Sequence, residues 1–203
     1  MKIDKSYSND GQDVFVNAIH KENGFFLDIG CNHPLTDNNT YALELLGWQG
    51  LLVDINPHLI AKCEEMRKSP AFLLDCSQLN WRQFLKRNNA PKVIDYISLD
   101  VDDVNVDVIK SFPFDEYEFK IMTFETDVYK RGNERKVPCI NALSPYPFYK
   151  MILENAMATW ADDIITEDWW INTKYIDLPA ELYSKNKKWT QFNQELIERL
   201  NAS

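Results

Sequence analysis

The 203-residue chain is predicted to fold as an α/β domain with a doubly wound, mostly parallel sheet. Short continuous apolar runs recur along the sequence, helix-like segments separate them, and polar residues follow them directly. Continuous apolar strands are expected where both faces of a sheet are covered, as in parallel sheets. Regular alternation of strand and helix is typical of open α/β folds. No repeat or linker divides the sequence, so we expect one domain over residues 1–203, with an N-terminal cap segment at 1–20 and a C-terminal helix within 180–203.

The strands are predicted from the apolar runs. Five of them precede helical segments, at Phe25–Ile29, Leu51–Ile55, Ala71–Leu74, Ile94–Leu99 and Phe119–Phe124. After Glu125 the pattern changes, because Tyr149–Glu154 and Ile164–Ile171 follow one another without a full helix between them. These two strands are predicted to form an antiparallel pair near the C-terminus.

The helices are predicted from capping residues and apolar spacing. They run from Asn38 or Asn39 to Leu46, from Pro57 toward Arg67, from Ser77 through Leu85, over Val104–Phe112 and over Lys188–Leu200. The segment Tyr129–Pro138, YKRGNERKVP, is predicted as a loop, either a plain surface loop or a mobile one that covers the site.

Composition restricts the function classes. The formal net charge of −9 opposes binding to nucleic acid or to an anionic membrane surface. No apolar run reaches the roughly eighteen residues that cross a bilayer, and the polar start of the chain is unlike a secretion signal. Four scattered cysteines without a C-x-x-C pair indicate a reducing, cytoplasmic location and make a structural zinc improbable.

Acidic and amide residues follow the predicted strands. They are Asp28, Gly30, Asn32, Asp54, Asp75, Asp100 and Glu125. In an open α/β sheet the ligand lies across the carboxyl ends of the strands, so these residues are expected at one binding edge. Helix capping accounts for one or two acids, whereas a shared ligand accounts for all of them.

The expected ligand at this edge is a cation. A phosphate-binding P-loop is absent, and Asn32, His33 and Pro34 stand where a dinucleotide fold places further glycines. S-adenosylmethionine carries a sulfonium and an ammonium, and its ribose diol needs one acidic acceptor. We expect Gly30 to let the chain turn close to the methionine part and Asp54 to accept the ribose hydroxyls. A weaker alternative is an NAD-dependent oxidoreductase, because the second strand of NAD-binding folds also ends in an acidic residue.

Further residues are predicted around that cofactor. Beside the adenine we expect Ile55, Asp75, Cys76 and Ser77, and the remaining cofactor-binding residues are Asp28, Asn32 and Asp100.

Carboxylates near the methyl acceptor are the candidate catalytic residues. Asp100, Asp102, Glu125 and Asp127 lie at the ends of the fourth and fifth strands. One of them could take the proton of the attacking hydroxyl, with Asp102 or Asp127 preferred. The alternatives are capping or surface ion pairs, and a Mg²⁺ ion held by the same four carboxylates that would acidify a vicinal diol.

The acceptor site is predicted from an aromatic and acidic stretch, ITEDWW. Glu167, Asp168 and Trp169 could bind a sugar ring and its hydroxyls, although two adjacent tryptophans on a strand face opposite sides, so at least one belongs to the core. His33 is predicted to contact cofactor or substrate, or alternatively to stabilise its own loop.

At these residues the chain resembles class I S-adenosylmethionine-dependent methyltransferases, and more narrowly the FkbM family. The stretches that carry the resemblance are YSNDGQDVFV, FFLDIGCNHPLTDNNTYALELLGWQGLLVDINP, IDYISLDVDDVNVDVIKSFPF, IMTFETDVY and ITEDWW. They occur in the family's order over roughly residues 7–171.

The resemblance implies a Rossmann-like methyltransferase sheet, cofactor above Gly30 and Asp54, Gln12 near the cofactor, and O-methylation of a hydroxyl on a sugar, glycan or related small molecule. Asp54 stands where many relatives have glutamate, Asp103 where glycine is frequent, and Thr126 where a histidine is common. Because Thr126 removes an obvious base, a non-catalytic cofactor-binding module is the alternative. No nucleic-acid or membrane partner is expected, and a homo-oligomer is compatible with the sequence.

Overall fold

One eight-stranded sheet organises the chain. The computed structural model describes residues 3, 5–161 and 164–202, so the remaining positions of the predicted domain and C-terminal segment lie outside the described residues. The strands are β1 Phe25–Ile29, β2 Gln49–Asp54, β3 Ala71–Leu73, β4 Val93–Leu99, β5 Glu118–Glu125, β6 Tyr149–Met157, β7 Ile165–Asn172 and β8 Ser184–Lys188. Their order in the sheet is β3-β2-β1-β4-β5-β7-β6-β8.

Strand directions confirm the predicted fold class. β1 to β5 are parallel to one another, whereas β7 is antiparallel to both β5 and β6. The chain order reverses at β1, which has β2 on one side and β4 on the other. A reversal of this kind opens a crevice at the carboxyl ends of the strands, where doubly wound folds bind their ligands.

Helices cover the sheet on both faces. They are α1 Gln12–Ile19, α2 Tyr41–Leu45, α3 Pro57–Met66, α4 Trp81–Arg87, α5 Asn105–Ser111, α6 Val128–Arg131, α7 Lys136–Leu143 and α8 Trp189–Ala202. Short 3₁₀ turns add Cys76–Gln78, Asp102–Val104 and Ala180–Leu182. No helix among the described residues has both the length and the apolar character needed to cross a membrane.

One helix start differs from the prediction. Asn80, rather than Ser77, caps α4 by accepting a hydrogen bond from the amide of Gln83 at 3.1 Å. Ser77 instead lies in the preceding 3₁₀ turn, whose cap is Asp75. The error arose because both residue types are good caps and they lie three positions apart.

Two regions carry structure that the sequence did not predict. The predicted loop Tyr129–Pro138 contains α6 and the first turn of α7, where Pro138 is tolerated because it occupies the third helical position. Strand β8 precedes α8 and runs parallel to β6. Its sequence, SKNKK, has no apolar residue and therefore no strand signal.

The core lies on both faces of the sheet, as continuous apolar strands predict. Ile97, Met122 and Trp170 belong to one buried cluster, and Tyr96 and Trp169 belong to the other. The two adjacent tryptophans therefore face opposite sides of β7 and both are buried. Each large apolar side chain buried in this way contributes roughly 1.5–3 kcal/mol, which fixes the strand ends that form the site.

Candidate active site

A cleft of about 580 Å³ opens at the carboxyl ends of β1, β2 and β4. It lies at the chain reversal, where the fold predicts a ligand. Most of the predicted cofactor residues line it, namely Asp28, Gly30, Asn32, Asp54, Ile55, Asp75, Cys76 and Asp100, and it also reaches Asp102 and Asp103. The structure therefore brings these predicted residues together at one edge of the sheet.

Gly30 makes the close contact between β1 and β4. Its φ of +87° lies in the left-handed region, and a Cβ built on it would stand 1.8 Å from the carbonyl oxygen of Asp100. Any other residue would push the two strand ends apart. The glycine thus sets the floor of the cleft.

Asp54 ends β2 and faces the cleft while it holds the surrounding loops. Its Oδ2 accepts a hydrogen bond from the Asn32 amide at 2.9 Å, and its Oδ1 accepts one from the Asn56 amide at 2.8 Å. No ion pair to Asp54 occurs among the described residues. Each carboxylate oxygen retains a further acceptor site, so the group can accept hydroxyls in addition to these amides. Ile55 beside it is 67% exposed and offers an apolar surface.

Asp28 lies beneath the cleft in a buried polar network. Thr40 donates its hydroxyl to Asp28 Oδ2 at 2.6 Å, and the Arg67 guanidinium donates to Thr40 at 3.1 Å. Burial raises the pKa of Asp28 to about 6, with Thr40 and Arg67 acting in the opposite direction. Arg67 is itself paired with buried Glu44 at 3.0 Å. This network anchors the start of α2 to the end of β1.

Asp100 and Glu125 form a carboxyl pair at the ends of β4 and β5. Burial, followed by repulsion from Glu125 and Glu167, raises the pKa of Asp100 well above its usual range. Burial and nearby Asp127 also raise the pKa of Glu125, while Arg135 opposes this. Raised pKa values on carboxyl groups in a cleft are typical of acid–base sites.

Arg135 neutralises the acids that follow β4 and β5. Its Nη1 lies 2.7 Å from Glu125 and 3.3 Å from Asp127, and its Nη2 lies 3.3 Å from Asp103 and 3.9 Å from Asp102. The Arg135 side chain is 5% exposed. The sequence missed this role, because Arg135 belongs to a basic segment that was predicted as a loop.

Two aspartates in this group have left-handed backbone conformations. Asp102 and Asp127 have φ values of 50° and 48°, in the left-handed region that non-glycine residues rarely adopt. Thr166 holds the second of these turns, because its carbonyl accepts the amides of Thr126 and Asp127. Five other asparagines and aspartates among the described residues also have a positive φ, so this conformation places the two carboxylates but is not specific to the site.

Three of the four carboxylates predicted to hold Mg²⁺ lie close together. Oxygens of Asp102, Glu125 and Asp127 lie within 4.8 Å of one another, close enough to share an ion. Arg135 already contacts all three carboxylates. A divalent ion would have to displace this guanidinium, so the donor set fits Mg²⁺ only with Arg135 moved aside.

The residues predicted for the acceptor do not line the cleft. Asp168 pairs with buried Lys136 at 3.2 Å, and Trp169 packs against Phe15 with ring centroids 4.6 Å apart. Glu167 accepts hydrogen bonds from Gln12 at 2.6 Å and from the Trp169 indole at 2.7 Å. Burial, with repulsion from nearby Asp10, raises the pKa of Glu167 to about 8.

Three further predicted residues make local contacts. The Nδ1 of His33 lies 3.0 Å from the Thr36 hydroxyl and 3.3 Å from the amides of Leu35 and Thr36, as the loop-stabilising alternative expects. Ser77 hydrogen bonds to Asp75 and does not line the cleft. Thr126 is buried and donates its hydroxyl to the Thr166 carbonyl at 3.2 Å.

Among the comparisons with known proteins, only the comparison of structures found similar proteins. No protein-family model matches the chain, and no curated protein matches it. A protein from Klebsiella pneumoniae provisionally described as an O-methyltransferase is similar with a TM-score of 0.60 at 11% identity, over 85% of this chain and 83% of that one.

Two further structures agree with that result. A protein from Clostridium thermocellum provisionally described as an rRNA methylase has a TM-score of 0.54 at 12% identity, over 83% of this chain and 97% of that one. The plantazolicin methyltransferase BpumL, in complex with S-adenosylhomocysteine, has a TM-score of 0.51 at 12% identity, over 82% of each chain. The chain therefore has the Rossmann-like fold of class I S-adenosylmethionine-dependent methyltransferases.

Proposed function

We propose that this protein is an S-adenosylmethionine-dependent O-methyltransferase that acts on a hydroxyl of a sugar, glycan or related small molecule. One observation carries the proposal: Asp54 ends β2 inside the cleft, with acceptor sites available, in a fold shared with methyltransferases. The resemblance to the FkbM family supports the choice of acceptor class and remains a prediction.

The residues around the cleft suit the parts of this cofactor. Asp54 would accept the ribose hydroxyls, and Ile55 and Cys76 would contact the adenine, which has two apolar faces. Asp28 and Asp100 are carboxyl groups on the side where the chain turns at Gly30. In their ionised forms these carboxylates favour an ammonium and a sulfonium over a phosphate, and a bound cation in turn favours their ionisation. S-adenosylmethionine supplies an activated methyl group when it is bound.

Asp100 is the residue that we propose as proton acceptor. It lines the cleft, and its raised pKa makes its carboxylate, once ionised, a stronger base than an ordinary aspartate. The positive charge of the bound cofactor would favour that ionised form. Asp127 is held by Lys130 at 3.1 Å and by Arg135, which suits positioning rather than proton transfer. Asp102 is 81% exposed beside the cleft and is the next candidate. Holding the acceptor in line with the methyl group supplies much of the acceleration in such reactions.

A second candidate function is cofactor binding without turnover. Arg135 favours this second function, because its guanidinium already forms ion pairs with Glu125 and Asp127. Thr126 favours it as well, because a buried hydroxyl stands where the FkbM family, which the sequence resembles, commonly has a histidine. Methyl transfer to an acceptor panel separates the two functions, since only the enzyme would release S-adenosylhomocysteine.

Calorimetry with S-adenosylhomocysteine tests the cofactor part. We expect binding to the wild type and an affinity loss of roughly 10- to 100-fold in Asp54→Asn, because a charge-assisted hydrogen bond is worth about 1.5–3 kcal/mol. Asp37→Asn is the matched control, since Asp37 is an exposed acid that lines the same cleft but does not lie at the end of β2. Absence of binding to folded wild-type protein would refute the proposal, as would equal binding by Asp54→Asn.

A further inference from the structure

Two aromatic side chains are exposed together near the candidate site. Trp160 is 59% exposed and Tyr129 is 40% exposed, and their ring centroids lie 6.4 Å apart with the planes at 77°. The rings therefore form a notch with one wall nearly perpendicular to the other. We call this pair of residues the aromatic notch.

The notch lies at the same edge of the sheet as the cleft. Trp160 follows β6 and Tyr129 follows β5. Both strands are antiparallel to β7, so they run in the same direction and their carboxyl ends share one edge. Tyr129 is two residues after Asp127, whose carboxylate lies close to that of Asp102 in the cleft wall. Short connections thus join the notch to the site.

Exposure of these rings is unusual in this chain. Among the residues that the structure describes, Tyr175 is the only other aromatic side chain with this degree of exposure, and it follows β7 at the opposite edge. Trp48, Trp81, Trp169 and Trp170 are all buried. Burying an aromatic ring stabilises a protein, so leaving Trp160 exposed to solvent does not help the fold. A ligand that covers the ring explains this exposure better.

The contacts of Tyr129 hold it in place. Lys130 Nζ lies 4.9 Å from the centroid of the Tyr129 ring and 3.1 Å from Asp127 Oδ2. Asp127 is in turn bound by Arg135 at 3.3 Å. One wall of the notch is therefore tied to the acids at the end of β5.

The chemistry of the surroundings points to a sugar ring. The C–H face of a pyranose packs on an aromatic ring, and a perpendicular second ring meets its edge. Exposed carboxylates accept sugar hydroxyls, and Asp102 and Asp103 are 81% and 69% exposed. Arg131, two residues after Tyr129, pairs with Asp103 and so brings this acid close to the notch. A nucleobase prefers parallel stacking surfaces, whereas the two rings of the notch lie at 77° to one another.

We propose that the aromatic notch binds the sugar ring of the methyl acceptor, with the carboxylates of Asp102 and Asp103 accepting its hydroxyls. This inference rests on the proposed function and names its acceptor subsite. It replaces Glu167, Asp168 and Trp169 as the recognition surface, because those side chains are buried in contacts with the protein.

Ligand-observed NMR on the full chain tests the notch without knowledge of the natural acceptor. The probes are methyl pyranosides of glucose, galactose, mannose and rhamnose at millimolar concentration, with adenosine monophosphate as the nucleotide arm. We expect at least one pyranoside to bind the wild type and to bind Trp160→Ala about tenfold more weakly. Trp160→Phe should retain most of the affinity, and Tyr175→Ala, the matched exposed aromatic, should equal the wild type.

S-adenosylhomocysteine binding, measured on the same samples, separates the two proposals. All three variants should bind it as the wild type does, because none of the substituted residues lines the cofactor cleft. If the folded wild type does not bind S-adenosylhomocysteine, the proposed function is overturned. The notch is tested by the binding of the pyranosides alone. The notch is overturned if no pyranoside binds, if Trp160→Ala binds as tightly as the wild type, or if only the nucleotide depends on Trp160.

Discussion

Replacing Arg135 with alanine removes the cation that several carboxylates share. Glu125 loses a contact of 2.7 Å, and Asp127 and Asp103 each lose one of 3.3 Å. The Arg135 and Asp127 side chains are about as buried as core residues, at 5% and 4% exposure. Breaking such a pair leaves an uncompensated buried charge and costs about 3–5 kcal/mol.

The lower end of that range applies here. Lys130 still pairs with Asp127 in the variant, and Glu125 is 16% exposed, so water screens part of its charge. We therefore expect a loss of about 3 kcal/mol in the free energy of unfolding. For a chain of this size the corresponding fall in Tm is about 6–12 °C. Urea and thermal unfolding followed by circular dichroism measure both quantities.

The loss should depend on pH in a defined direction. The folded-state pKa of Glu125 is already raised, and removing the cation raises it further. A folded pKa above the unfolded one gives stability that is present at low pH and lost as pH rises. The difference between variant and wild type should thus be small near pH 4 and large near pH 7.

Arg131→Ala is the matched control for Arg135→Ala. Arg131 also pairs with Asp103, but its side chain is 45% exposed, and surface pairs contribute about 0–1 kcal/mol. Equal Tm values for Arg135→Ala and Arg131→Ala near pH 7 would refute the claim that Arg135 compensates buried charge.

Three other perturbations test separate features of the site. Magnesium should raise the Tm of Arg135→Ala but not that of the wild type, because the three clustered carboxylates become available; equal shifts would contradict this. Gly30→Ala should unfold at lower temperature and lose S-adenosylhomocysteine binding in calorimetry, since its Cβ would stand 1.8 Å from a backbone oxygen; Gly132→Ala, with nothing within 4 Å, is the control for a positive φ without that contact. The pKa of Glu167 is raised to about 8 in the folded protein, so the free energy of unfolding of the wild type should decrease as pH rises from about 4.5 to 8. Glu167→Gln should make this decrease smaller. Urea titrations at several pH values that give the same decrease for both proteins would reject the raised pKa.

The fold was predictable because it depends on local patterns. Continuous apolar strands and the acids after them locate the sheet and the edge at which the cleft opens, and Gly30 and Asp54 line that cleft. These features need only strand period and chain order. The antiparallel pair β6 and β7 was predicted in the same way, from the missing helix between them.

The partners of the acids were not predictable, because they depend on contacts far apart in sequence. Arg135 neutralises Glu125 only because α7 starts beside the end of β5. Lys136, the first residue of α7, forms an ion pair with Asp168 through a contact that is even more distant in sequence. The pairing of Tyr129 with Trp160 requires two loops to meet, and a single sequence carries no signal for it.

The two outer strands of the sheet restrict how copies of this protein could associate. β3 has three residues, and β8 has the sequence SKNKK, so neither outer strand offers a long apolar ladder to a neighbour. Lys185 and Lys187 of β8 pair with Glu154 and Glu195 of the same chain, and charged side chains of this kind on an outer strand oppose its pairing with the strand of a second copy. Any homodimer should therefore form through helices or loops, and the sheet should end within each molecule.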